Sequence, residues 1–315
     1  MTGRGVLRLG VLALLWGSGF LWIKLALTGL SPVQITVIRC ALGAAVLVVM
    51  ARVGRQKLPA GLWVHLVIAA LFCNALPFLL FAIGEQTVDS GVAGVLNATT
   101  PLFSLLIGLA IGTDRGLTPV RVTGLVVGFA GILLIFAPWQ RHGLLSAGAL
   151  ALLGAAASYA VAFAYMGRKL AGKGGPIAVS AAQLAAATGL GALMLPFDHT
   201  PATPNATAIV AVVVLGVFGT GITFVLNYRI IEDEGPTSAA TVGYLLPVVS
   251  VALGALVLDE PLTARIVTGM AVVLAGVALT RLVPGKRPAE RTDRYHLSVM
   301  STEREGSGGR SADHR

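Results

Sequence analysis

Residues 117–131 read LTPVRVTGLVVGFAG and residues 262–276 read LTARIVTGMAVVLAG, with eight of the fifteen positions identical at a constant offset of 145. An apolar segment that recurs in this way marks an internal duplication. The register holds elsewhere with small slips: Pro32 matches Pro176, Phe72 and Phe78 match Phe218 and Phe224, and Pro101 matches Pro247. Each copy holds five hydrophobic spans. An odd number forces the second copy to enter a membrane upside down, so the duplication predicts two inverted five-helix repeats.

The spans follow from composition. The chain has 315 residues, 56% hydrophobic and only 12% charged, with mean hydropathy +0.84. A soluble domain carries about 25% charged residues. A membrane span needs about 20 mostly apolar residues, which places ten at 7–27, 33–52, 62–83, 91–112, 119–137, 144–165, 177–195, 208–229, 237–258 and 262–282. Short linkers rich in Gly, Pro and charge separate them. The first span has no small-residue cleavage site and runs straight on, so it reads as a retained helix. Expected units are a first repeat over 1–140, an inverted second repeat over 141–283 and a disordered tail over 284–315. The fold class is therefore all-α and integral to the membrane. A central cavity between such repeats is the build of secondary transporters.

Cytoplasmic loops collect Lys and Arg. With an inside amino terminus, the inner side receives Arg4, Arg8, Arg52, Arg55, Lys57, Arg115, Arg121, Arg168, Lys169, Lys173 and Arg229, and the outer side only Arg141 and Arg265. Both termini are then cytoplasmic. This bias accounts for much of the net charge of +9, so the partners expected are lipid and a small molecule, and no nucleic acid. Cys40 and Cys73 fall inside apolar spans and suggest neither a disulfide framework nor a metal site.

The segment LWGSGFLWIKLALTGLSP followed by VIRCALGAAVL resembles the first two helices of the drug/metabolite transporter superfamily, EamA type. So do the proline-centred stretches NATTPLFSLLIG and GYLLPVVSVALGALVLDEPLT. The likeness covers residues 7 to about 282. It implies ten helices around a central cavity, alternating access and export of small metabolites across the cell membrane, with no cofactor. One departure is visible: TDRGLT stands where the second copy has LDEPLT, which displaces the usual acid to Asp114.

Pro101 and Pro247 sit near the middle of spans four and nine. Proline removes a backbone donor and frees carbonyls on its preceding turn, and in lipid those must find partners or line a wet cavity. Both are candidate hinges. Trp16, Ser18, Asn74, Asn97, Tyr159, Gln183, Asn227 and Tyr244 interrupt apolar helices at similar depth and are the candidate cavity lining. The alternative for the polar ones is interhelical glue, at about 0.6–2 kcal/mol each.

Lys24 and Arg39 lie in the outer third of spans one and two. An intramembrane cation costs about 2.5–3.5 kcal/mol on insertion scales, so it faces water or a partner. Lys24 is close enough to the boundary to snorkel. Arg39 is deeper, its repeat counterpart is Gln183, and Glu85 and Asp89 are its expected partners at a gate or salt bridge. All fourteen carboxylates lie in loops, at helix ends or in the tail. The absence of a mid-membrane acid disfavours proton-coupled drug efflux, and Arg39 favours a carboxylate-bearing solute such as an amino acid. Uptake or exchange of phosphorylated or nucleotide-linked metabolites is the alternative within transport. A structural or regulatory membrane protein is the alternative outside it.

Gly124 and Gly128, like Gly108 and Gly112, make small-xxx-small faces that read as helix packing, with a homodimer contact as an alternative. GRKLAGKG at 167–174 lacks the final Ser or Thr of a phosphate loop and no strand precedes it. No His, Cys or carboxylate spacing suggests a metal site, and no catalytic signature falls within the spans.

Overall fold

The computed structural model describes residues 3–57, 61–111, 118–136, 146–234 and 242–282. Among them the chain is all-helical. Seven helices are long and apolar enough to cross a membrane: α1 (Gly5–Ala26), α2 (Pro32–Val53), α3 (Trp63–Gly84), α4 (Ser90–Ala110), α6 (Ala147–Lys169), α7 (Pro176–Phe197) and α8 (Ala206–Asp233). Three more apolar helices are shorter: α5 (Pro119–Phe136), α9 (Val242–Val257) and α10 (Ala264–Leu282). The tail, Asp114, Gly112 and the side chain of Tyr244 lie outside the described residues. Leu7, Val64 and Leu256 stand 69%, 69% and 80% exposed. Large apolar side chains that cover a surface in this way match a hydrocarbon surround.

Sequence signals set the helix starts. Ser31 caps α2 in a capping box with Gln34, and Ser146 and Asn205 accept the backbone N–H of Ala149 and Ala208 at α6 and α8. These starts lie at one end of the bundle, the far end, with Ala26, Gly84 and Ser90. The chain begins at the near end, with Val53, Trp63, Lys169 and Asp233.

Three pairs of equivalent helices, one from each copy, pack against each other in antiparallel fashion. The α5–α10 seam is the most extensive in the molecule. Along it Gly276 lies against Gly128 and the Gly124 carbonyl, while Gly131 lies against Val273 and the Gly269 carbonyl. A side chain at Gly276 would collide with backbone, which explains why the repeat retains glycine here. On α2 and α7, Val37 meets Gly191, Gly43 meets Leu184, and the Gln56 side chain accepts the N–H groups of Ile177 and Ala178 at 2.9 and 3.2 Å. On α4 and α9, Gly91 meets Val251 and Gly94 meets Ser250. The remaining contacts exchange under the same swap: α3 packs on α6 as α8 packs on α1.

Two helices carry a wide, π-helical turn, at Leu71–Ala75 in α3 and at Val217–Ile222 in α8. They are equivalent positions at an offset of 146. Such turns insert a residue into the ladder and turn side chains that a regular helix would aim elsewhere.

Candidate substrate cavity

A cavity of about 810 Å³ opens between the repeats. Its walls reach the near end at Arg121, Met166, Pro176, Ile231 and Val242, and stop short of the far end at Ile23, Arg39, Phe81 and Asn97. Trp16, Phe78, Tyr159, Phe163 and Phe224 make much of the wall aromatic. Tyr159 stacks on Phe163, with ring centroids 5.9 Å apart and planes 10° apart. Among the described residues no Asp or Glu lines the cavity.

The structure brings Trp16, Asn97, Tyr159, Asn227, Arg39 and Pro101 together on this wall. It places three other candidates elsewhere. Ser18 interrupts α1, and its hydroxyl donates to the Leu15 carbonyl at 3.1 Å. Asn74 and Gln183 are buried against each other, Gln183 Nε2 donating to Asn74 Oδ1 at 2.6 Å. They join α3 to α7 behind the cavity, because the wide turn of α3 aims Asn74 at α7.

Arg39 has a repeat-related arrangement with a different outcome. Its Nε donates to Thr220 Oγ1 at 2.9 Å, and its guanidinium carbon lies 3.7 Å from the centroid of the Phe78 ring. Thr220 sits in the wide turn of α8, at the position equivalent to Asn74, and passes its own proton to the Leu215 carbonyl at 3.0 Å. The guanidinium is thus fixed by one hydroxyl and one aromatic face. Its two terminal nitrogens have no hydrogen bond among the described residues, and the residue lines the cavity. A fork of free donors on an aromatic-walled cavity fits a carboxylate in two-point contact.

Glu85 and Asp89 are not its partners. Lys24 Nζ donates to the carbonyls of Glu85 and Val88 at 2.6 and 3.0 Å, so the ammonium is satisfied by a helix C-terminus and the Glu85 side chain is left inside the far end. Lys24 lies at the far end and is not among the residues that line the cavity.

The two prolines differ. Pro101 follows a true break between Ser90–Asn97 and Thr100–Ala110. The Asn97 carbonyl, deprived of the donor that residue 101 would supply, accepts the Thr100 hydroxyl at 2.8 Å. Pro247 stands inside the continuous helix Val242–Val257. Gly243, four residues before it, lines the cavity.

Arg121 was grouped above with charges of the inner loops, yet it is buried and forms part of the cavity wall at the near end. Only its place at the start of an apolar span pointed that way. Tyr228 and Ser180 also line the near half and carried no sequence signal of their own.

The far end is closed by contacts between the repeats. Ser31 donates to the Asp198 carboxylate, Thr203 N–H donates to the Gly29 carbonyl at 3.2 Å, and the Glu260 carboxylate accepts Ser90 and Gly91 N–H at 2.7 and 2.9 Å. Asp259 adopts a left-handed conformation (φ 54°), one that Asp tolerates better than most residues. It turns the loop so that Glu260 covers the α4 N-terminus, where a negative charge is favoured. The Ser31 hydroxyl holds the half-buried Asp198 carboxyl below its usual range.

Comparison with known proteins agrees with this architecture. The model of the EamA-like transporter family matches twice, over residues 3–137 and 146–282. An uncharacterized transporter of Archaeoglobus fulgidus is 27% identical over 270 residues, covering 83% of this chain and 93% of its own. The uncharacterized inner membrane transporter YedA of Escherichia coli (strain K12) is 28% identical over 283 residues, covering 86% and 88%. A solved crystal structure shares the fold with a TM-score of 0.63 at 23% identity, covering 90% of this chain and 98% of the other. A doubly matched family model, over an all-helical bundle with apolar spans, makes this chain a membrane transporter that belongs to the EamA-like transporter family.

Proposed function

We propose that the chain moves a small carboxylate-bearing metabolite, such as an amino acid, by alternating access, in the direction of export. Arg39 carries the reading: it is a half-buried guanidinium whose terminal nitrogens have no hydrogen bond among the described residues, on the wall of a cavity that none of the described Asp and Glu residues lines. A buried anion-binding fork of this kind supplies orientation, and the aromatic wall accommodates the apolar remainder of the solute.

The three shorter helices cross the membrane with the seven longer ones, giving ten spans in two inverted repeats over 1–140 and 141–283. The antiparallel pairing of α2 with α7, α4 with α9 and α5 with α10 supports this, since an in-plane two-fold axis reverses every helix that it maps onto its equivalent. The excess of Lys and Arg at the near end makes that end cytoplasmic, with both termini. The cavity then opens inward and the closed far end faces out. Rocking of the repeats about the Pro101 break and Pro247 exchanges the openings. A second copy of the chain in a dimer is compatible with the lipid-facing surfaces.

Arg121 favours a second reading. Two guanidiniums on one cavity wall would suit a phosphorylated metabolite moved by exchange. Flux in proteoliposomes across amino acids, organic acids, sugar phosphates and cationic dyes, with and without a pH gradient, decides among them. Movement of carboxylates without a gradient is the expected result. Flux confined to phosphorylated solutes selects the second reading, and dye flux driven only by a proton gradient contradicts both.

A further inference from the structure

Glu85 ends α3 at the far end, one residue past the span, and none of it is exposed. Its N–H completes the helix to the Phe81 carbonyl at 2.9 Å. Both of its carboxyl oxygens are buried without a hydrogen-bond partner among the described residues. Ile23, Ala26, Phe81, Ala82 and Val88 belong to the apolar cluster at this end. An ionised carboxylate removed from water without donors is disfavoured by several kcal/mol, to the order of magnitude, and the neutral acid takes its place.

The charged groups around it do not change that balance. Lys24 on α1 draws toward ionisation, but its ammonium hydrogens point at two carbonyls. Glu260, held at the α4 N-terminus, opposes ionisation, and Arg39 on α2 is a weaker favourable influence. Asp89 begins the next helix. The far-end turns of α6 that abut Gly84, through Leu152 and Gly148, offer no titratable side chain from Ser146 to Ala157. Burial therefore pushes the Glu85 carboxyl well above its ordinary range, with Lys24 pulling it partly back.

We propose that Glu85 is a proton-binding site built into the far-end seal: closing that end takes up one proton as carboxylate becomes carboxylic acid, and opening it releases one. This rests on the alternating-access reading above. The sign follows from the raised value in the closed form. Closure is fully favoured below the open-form carboxyl range and is lost as outer pH rises through the closed-form value. The sequence had placed no acid at mid-membrane, and the site needs none, because depth along the helix and burial are different quantities.

The test uses the full chain in a background lacking Cys40 and Cys73, with Val92→Cys as reporter. Val92 is 1% exposed near the far end and lies outside the substrate cavity, so a water-soluble maleimide reaches it only when that end opens. Rates are normalised to Thr200→Cys, an exposed position at the outer rim of the far end. Labelling of Val92→Cys is expected to rise by at least about tenfold between pH 5 and pH 9, since one linked proton gives up to about tenfold per unit. Adding Glu85→Gln should hold labelling low and flat. Glu85→Leu should also be flat, which separates the loss of titration from the loss of an amide contact. A flat profile with Glu85 in place, or an unchanged slope in Glu85→Gln, overturns the proposal while leaving alternating access intact. Absence of labelling at every pH, with Thr200→Cys still reactive, overturns the alternating-access reading as well.

Discussion

The Arg39–Thr220 and Gln183–Asn74 hydrogen bonds occupy equivalent positions in the two repeats, and each ties the second helix of one repeat to the wide turn of the other's third. In the first pair the donor is a cation, and its free nitrogens face a cavity. In the second it is a neutral amide, buried with its acceptor. On the proposed function the same backbone device serves as a binding group on one side and as a staple on the other. The two copies share the geometry and differ in the residues that fill it, Arg39 with Thr220 in one pair and Gln183 with Asn74 in the other. A neutral amide is cheap to bury once bonded, whereas a guanidinium needs water, a partner or a ligand.

This comparison can be broken first at the staple. Gln183→Leu leaves both polar atoms of Asn74 buried without partners and should lower stability by about 1–3 kcal/mol. Adding Asn74→Leu should return most of it, because removing both partners leaves no orphan. Thermal unfolding of the single and double variants reads this directly. If the single variant is as stable as the parent, the staple reading fails.

The binding side is expected to respond in transport instead. Thr220→Val removes the hydroxyl that anchors Arg39 Nε, with little change in volume. It should raise KM by about two- to tenfold, the range of one ordinary hydrogen bond, with a stability loss below that of Gln183→Leu, from the Leu215 carbonyl that the hydroxyl satisfies. A loss of stability equal to that of Gln183→Leu would make the two pairs alike.

The smallest effect is expected where the wide turns themselves differ. In α3 a carbonyl released by the turn is satisfied from the other repeat, Ser158 donating to Phe72 at 2.7 Å. In α8 the corresponding region is satisfied internally by Thr223, which donates to Gly219 and Thr220. Ser158→Ala should therefore cost about 0.5–1.5 kcal/mol, and flux per folded molecule should not change.

Much of the frame was legible in the chain. The repeat at 117–131 and 262–276 marked its glycines as helix packing, and the structure supplies the partner, each repeat's copy packing on the other along the α5–α10 seam. The equivalence of Arg39 and Gln183 was readable from the offset at Pro32 and Pro176. Their partners were not. Thr220 and Asn74 look like any polar residue in an apolar helix, and the wide turns that aim them leave no mark on hydrophobic period. Arg121 was grouped with loop charges because a run of residues at a helix start cannot distinguish a headgroup from a cavity mouth. Lys24 went to carbonyls of α3, and backbone acceptors have no sequence signature. Glu85 was read by its position at a helix end, and its burial depended on what packs there.

The most direct measurement of the central claim compares uptake into proteoliposomes of a transported carboxylate and its neutral amide, by the unaltered chain and by Arg39→Gln. The account predicts that the unaltered chain prefers the carboxylate, and that Arg39→Gln lowers kcat/KM for it by about 10- to 100-fold, the scale of a hydrogen bond to a charged group. The amide should be nearly unaffected. Equal losses for both solutes, or carboxylate transport intact in a folded Arg39→Gln protein, would contradict it.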